Sequence, residues 1–216
     1  DTRQMSAKQT ILVWDIPTRV FHWLLVICFA GAWLTSESER LQMIHYAFGY
    51  SACALVLFRL FWGIAGTRYA RFTQFLKGPA EMMKHAKGLL SGDQHSTPGH
   101  NPVGGIVMIG LMLLILLIGL TGYFSVKEFL GDFMGEAHET IASLALAVVV
   151  VHVAAAIIMS LLQKENLVRS MVTGKKQGLP EEAIRFPQYL IGLLLVLGSI
   201  YCFYMILTGA VPSLTQ

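Results

Sequence analysis

Four histidines fall inside long apolar runs of this 216-residue chain: His22, His45, His138 and His152. An ionisable side chain in hydrocarbon is costly and marks a functional site by default. His138 and His152 are 14 residues apart. On a helix that is nearly four turns, so they share one face and stand about 21 Å apart along it. Ala142, Ala145 and Val149 lie between them on that face. Small residues there let something broad and flat rest against the helix, although they also serve plain helix packing. His45 opens a second run, level with His138. His22 comes 13 residues before Thr35, about 20 Å from the far end of its own run and near the level of His152. The depths therefore pair His45 with His138 and His22 with His152, each pair drawn from two helices. Opposed neutral imidazoles suit a six-coordinate haem iron whose two axial positions are both filled, an arrangement for electron transfer rather than oxygen binding.

Two arginines lie close to this stripe. Arg59 follows His45 by 14 residues, again nearly four turns along one face, and Arg19 precedes His22 by one turn. A guanidinium forks onto carboxylates, so both are candidates for haem propionates. The competing role is snorkelling of boundary residues toward headgroups. Arg40 is a further candidate at the other end. His85 and His95 fall in a polar loop, and His100, in GHNP, suits capping or exposure at the start of a helix.

The elements that must hold these residues are five apolar runs at about 17–35, 44–65, 102–124, 137–162 and 187–209. Each is near the roughly 20 residues a helix needs to cross a bilayer. A spanning segment must satisfy its own backbone, so β-branched residues in LALAVVVVHVAAAIIMSLL do not make it a strand. Pro17, Pro102 and Pro187 suit first-turn positions, with Asn101 as a cap. An amphipathic surface helix is expected near 79–90. The expected fold is an all-α membrane protein: a four-helix transmembrane haem-binding bundle plus a fifth C-terminal transmembrane helix. Residues 1–165 would form the di-haem core, and residues 166–216 a cytoplasmic linker and the fifth helix. The first run is expected to act as its own insertion signal, since no small-residue cleavage site follows it.

Composition agrees. The chain is 55% hydrophobic and 13% charged, against about 25% charged in soluble domains. The net charge of +3 comes without a basic, aromatic-interleaved stretch, which argues against nucleic acid. Cys28, Cys53 and Cys202 form no CxxC or CxxCH pattern, so neither a zinc site nor a covalent c-type haem is expected. Thirteen of the sixteen Lys and Arg residues fall in the N-terminal segment and the two long loops. The positive-inside rule then places the N-terminus in the cytoplasm and the C-terminus in the periplasm. The outer connections carry Arg40 and Lys127 against Glu37, Glu39, Glu128, Asp132 and Glu136. That acidic balance favours a basic protein partner. It weighs against the basic funnel a superoxide:quinone oxidoreductase would need. A divalent-metal transporter would be expected to carry mid-helix carboxylates, and none is present.

Several segments resemble the bacterial cytochrome b561 family, which includes the b-type cytochrome subunits of nickel–iron hydrogenases: VWDIPTRVFHW at 13–23, QMIHYAFGYSACALVLFRLFW at 42–62, GTRYARF at 66–72, HNPVGG at 100–105 and HETIASLALAVVVVHVAAA at 138–156. The resemblance covers about residues 13–165. It implies two non-covalent b haems with His22, His45, His138 and His152 as axial ligands, and a location in the bacterial inner membrane. It also implies electron exchange between a quinone and a redox partner such as a periplasmic c-type cytochrome, or a hydrogenase or dehydrogenase subunit. WGIAGTRYARF resembles the subgroup that accompanies c-type cytochromes. The fifth run, without histidine, departs from the family's four helices.

Overall fold

The computed structural model describes residues 9–75, 83, 99 and 102–214. The surface helix expected near 79–90 (Met83 apart), His85, His95, His100 and Asn101 lie outside the described residues. Among the described residues, five long apolar helices cross the protein: α1 (Ile16–Thr35), α2 (Gln42–Ala65), α3 (Pro102–Val126), α4 (Asp132–Gln163) and α6 (Tyr189–Leu207). All five are long and apolar enough to span a bilayer, and the chain is an all-α multi-pass membrane protein. A short helix, α5 (Leu167–Thr173), joins α4 to the last span.

The boundaries differ most at α4, which begins five residues earlier than the apolar run. Asp132 and Glu136 end the run but not the helix, and Asp132 in the first turn complements the helix dipole. Pro187 is not in the first turn of α6. It precedes the cap residue Gln188, and its carbonyl instead accepts from Ile16 N–H at 2.8 Å, tying the starts of α1 and α6 together. Gly192 permits this crossing, because a Cβ there would lie 2.3 Å from Ile16 Cγ2.

Helix packing is uneven. α3 runs against α4, α1 against α2, and α6 lies in contact with both α1 and α2. α2 also meets α3 through a core of Leu55, Val56, Met112 and Ile115, with Phe21 and Cys28 from α1. α4 hardly approaches the backbones of α1 and α2. Its inward stripe contains Ala145, which is fully buried.

The end of the bundle where α1 begins carries a cap that the apolar pattern does not reveal. β1 (Gln9–Leu12) pairs antiparallel with β2 (Lys175–Gly178), so the linker after α4 is stitched to the start of the chain. Val13 and Trp14 N–H both donate to Gly174 O, and Ile184 N–H donates to Leu12 O. Lys176 is buried beside Glu165 at 3.7 Å. Burial pushes its ammonium below the ordinary lysine range, against the pull of that carboxylate.

Asp15 is the centre of this cap and is only 1% exposed. Its Oδ1 accepts from Thr18 N–H at 2.8 Å, capping α1. Its Oδ2 accepts from Trp62 Nε1 at 3.0 Å and from Thr67 Oγ1 at 2.6 Å. One carboxylate thus fixes the start of α1 to the end of α2 and to the loop beyond it. Trp62 and Trp14 are buried inside the protein rather than anchored at the membrane surface, whereas Trp23 and Trp33 are exposed.

Removing Asp15 leaves buried donors unpaired, at a cost of about 2–4 kcal/mol. Asp15→Ala should lower the melting temperature in detergent by about 5–10 °C. Asp15→Asn, which keeps the cap acceptor, should recover part of it. A melting curve for the alanine variant that overlays the wild type would deny Asp15 this role.

Candidate functional site

The clearest part of the site lies where α2 begins. The imidazoles of His45 and His138 face each other with ring centroids 6.0 Å apart and planes crossed at 75°. A metal–imidazole bond is about 2 Å, which puts the centroids of two rings bound in trans about 6 Å apart. The observed separation fits a metal between them.

Each ring is held by its other nitrogen. His45 Nδ1 is 2.8 Å from Ala32 O, and His138 Nδ1 is 2.9 Å from Ile118 O. A carbonyl only accepts, so Nδ1 carries the proton in each ring, and Nε2 is left with a lone pair for a metal. The two carbonyls become available for different reasons. Ala32 belongs to the last turn of α1, where carbonyls lack the backbone donor four residues on, and its oxygen also accepts from Thr35 Oγ1 at 3.2 Å. Ile118 lies inside α3, where the side chain four residues on covers the carbonyl of the preceding turn. That residue is Gly122. A Cβ there would stand 3.0 Å from His138 Nδ1 and 3.1 Å from its Cε1. The missing side chain is what lets the imidazole reach the α3 backbone.

His22 and His152 lie deeper, toward the capped end, and His152 is close enough to bear on the charge of His22. His22 Nδ1 is buried without a hydrogen-bond partner. The structure brings His45 of α2 beside His138 of α4, and His22 of α1 near His152 of α4. Both pairs reach across the gap that α4 keeps from α1 and α2. Gly49, one turn along α2 from His45, has no atom within 4 Å of where its Cβ would stand, so open space adjoins the pair.

Among the described residues no group of three or more His, Cys, Asp or Glu side chains could hold a metal ion. His45 and His138 would hold a haem iron through their Nε2 atoms, and the haem would supply a one-electron couple there.

The arginines behave differently from each other. Arg59 is 1% exposed. Its Nη2 donates to Ala70 O at 2.9 Å, and its guanidinium lies 5.1 Å from the Phe72 ring centroid. Its Nε and Nη1 are buried and unpartnered. Two free donors on a buried cation are what an absent anionic group would leave behind. Arg19 Nη2 donates to Val172 O, in the last turn of α5, so one of its nitrogens is occupied by helix capping. Its Nε is buried without a partner.

The sequence profile of the prokaryotic cytochrome b561 family matches residues 13–174. The chain belongs to this family. Among curated relatives, the probable Ni/Fe-hydrogenase 1 B-type cytochrome subunit of Escherichia coli (strain K12) is 25% identical over 143 residues, 54% of this chain and 60% of that protein. The probable Ni/Fe-hydrogenase B-type cytochrome subunit of Rhizobium leguminosarum bv. viciae is 21% identical over 214 residues, 78% of this chain and 90% of that protein. The chain thus spans about 60% of the length of the E. coli relative. No solved structure matches it significantly. Membership in a family of b-type cytochromes implies haem b, and the residues at the His45–His138 pair fit that group in spacing, tautomer and adjoining space.

Sequence reasoning named the four histidines, Arg59 and Arg19 as candidates and passed over Asp15, Gly122 and the two carbonyls. Asp15 was legible as a capping residue two before Pro17. Gly122 and the two carbonyls carried no signal, because a backbone acceptor is the same atom in every residue.

Gly122→Ala should shift the ferric EPR signal and the midpoint potential of the haem at His138, since the ring must turn or lose its carbonyl. A spectrum and potential identical to wild type would show that the ring does not depend on Gly122.

Proposed function

We propose that this chain is a di-haem b-type cytochrome carrying electrons across the bacterial inner membrane between the quinone pool and a periplasmic redox partner such as a c-type cytochrome. The observation that carries the reading is the His45–His138 pair, with its centroid distance of 6.0 Å and both Nδ1 atoms committed to backbone carbonyls. In this reading His45 and His138 ligate the outer iron and His22 and His152 the inner one. Residues 1–165 supply the haem core, and residues 166–216 the linker and fifth helix. Bound haem supplies a one-electron ferric/ferrous couple. The histidines of each pair would hold the iron, and the Ala32 and Ile118 carbonyls orient the rings of His45 and His138. Arg59 directs its free donors toward an inner propionate, and Arg19 is a second, partly occupied donor. The excess of Lys and Arg at the capped end supports a cytoplasmic N-terminus.

A dithionite-reduced minus oxidised spectrum with a b-type α band and about two haems per chain is the expected result. His138→Ala should remove about one haem and leave the one shared by His22 and His152. If His138→Ala instead destroys the haem that His22→Ala also destroys, the pairing is wrong.

The acidic connections at the His45 end support a basic docking partner. Electrostatic steering raises encounter rates and is screened over about 8–10 Å at physiological salt. Electron exchange with a basic c-type cytochrome should slow as ionic strength rises. Charge reversal at Glu128, Asp132 and Glu136 should slow it further at low salt. Indifference to both changes would favour the second reading, which the names of the relatives raise: a membrane cytochrome subunit held within a hydrogenase or dehydrogenase complex.

A further inference from the structure

The fifth helix brings no histidine, yet it builds a cavity. Between α2 and α6 lies a space of about 350 Å³ lined by Ser51, Ala54, Leu55 and Phe58 on one side and by Leu195, Gly198, Ser199 and Cys202 among those on the other. No charged residue borders it. Gly198 has nothing within 4 Å of where its Cβ would stand, so the space is open at that level. The α6 residues beside it, Leu194 and Leu197, are more than half exposed, so any ligand enters from the hydrocarbon.

One polar group in this cavity is unspent. A hydroxyl inside a helix commonly donates to the carbonyl four residues back. Thr35, Thr121, Ser160 and Ser199 all do so here, at 2.6–2.8 Å. Ser51 does not: its residue is 2% exposed, and its Oγ is buried without a partner. A buried donor in hydrocarbon without an acceptor is unfavourable, and an acceptor on a ligand would remove that cost.

Depth selects the ligand. Ser51 lies nine residues into α2, about 14 Å from the helix start, and so near the middle of a hydrocarbon core about 30 Å thick. Phospholipid ester carbonyls stay at the interface and do not reach this level. The occupant must be uncharged, soluble in hydrocarbon, able to lie flat between two helices, and equipped with a carbonyl for Ser51.

We propose that the cavity between α2 and α6 binds the ring of a lipid-soluble quinone, with Ser51 Oγ donating to a ring carbonyl. This rests on the quinone reading above and locates the site, giving the fifth helix a binding role.

The test uses the purified full chain with its haems in quinone-free nanodiscs. The probes are an azido-quinone photolabel and decylubiquinone. Label should map to peptides containing residues 51–58 or 191–202. Ser51→Ala should weaken decylubiquinone binding about fivefold to tenfold, as loss of one hydrogen bond does. Gly198→Leu, which fills the space, should abolish it. Haem content and both midpoint potentials should stay at wild-type values in each variant. Label on other peptides, or binding unchanged in Ser51→Ala, overturns the site while leaving the quinone reading in place. No binding of either probe to wild type overturns both. A co-purified phospholipid that Gly198→Leu removes while decylubiquinone still binds overturns the site in favour of lipid.

Discussion

An imidazole in a bilayer has two nitrogens to satisfy and no water to do it. At the His45–His138 pair one nitrogen of each ring is answered by a backbone carbonyl, 2.8 Å away in one case and 2.9 Å in the other. The second nitrogen of each thereby keeps its lone pair. Much of the architecture serves this condition. α1 ends within a turn of Ala32, α3 carries a glycine at position 122, and α4 stands off from the backbones of α1 and α2. The bundle is consequently two helix pairs, α1 with α2 and α3 with α4, joined along α2 and α3 and parted along α4.

Parted helices need fastening elsewhere, and the fastening is polar and lies at one end. Asp15 binds the start of α1, the end of α2 and the following loop through one carboxylate. The β1–β2 ladder brings the segment after α4 back to the start of the chain, and Arg19 reaches across to close α5. Hydrogen bonds formed away from water are costly to break, so this cap can hold the helices in register while the gap between them stays open. Arg59 joins the two regions. It belongs to the stripe of His45 and lies within electrostatic range of Asp15, with one nitrogen on the Ala70 carbonyl of the capping loop and two nitrogens unassigned.

The fifth transmembrane helix, α6, sits outside this scheme, against α1 and α2 and away from the α4 gap. Its packing leaves a cavity with a single unspent hydroxyl. An electron carrier has two ends to serve, and a lateral opening in the hydrocarbon suits a partner that never leaves the membrane. The acidic connections at the far end suit one that arrives through water.

Hydrophobicity is local in sequence, and helical period is set by the backbone, so residue order alone determined the five spans and the shared face of His138 and His152. Boundary errors arose where charge and helix parted company, as at Asp132, or where a proline served a neighbour, as Pro187 does for Ile16. Tertiary structure decided the rest. Which carbonyl meets which imidazole depends on helices distant in the chain: Ala32 and His45 are 13 residues apart, Ile118 and His138 are 20. The pairing of residues 9–12 with 175–178, and the burial of Trp14 and Trp62, depend in the same way on the bundle closing. Such contacts are made by backbone atoms or by generic side chains. Only three-dimensional proximity distinguishes the ones that matter.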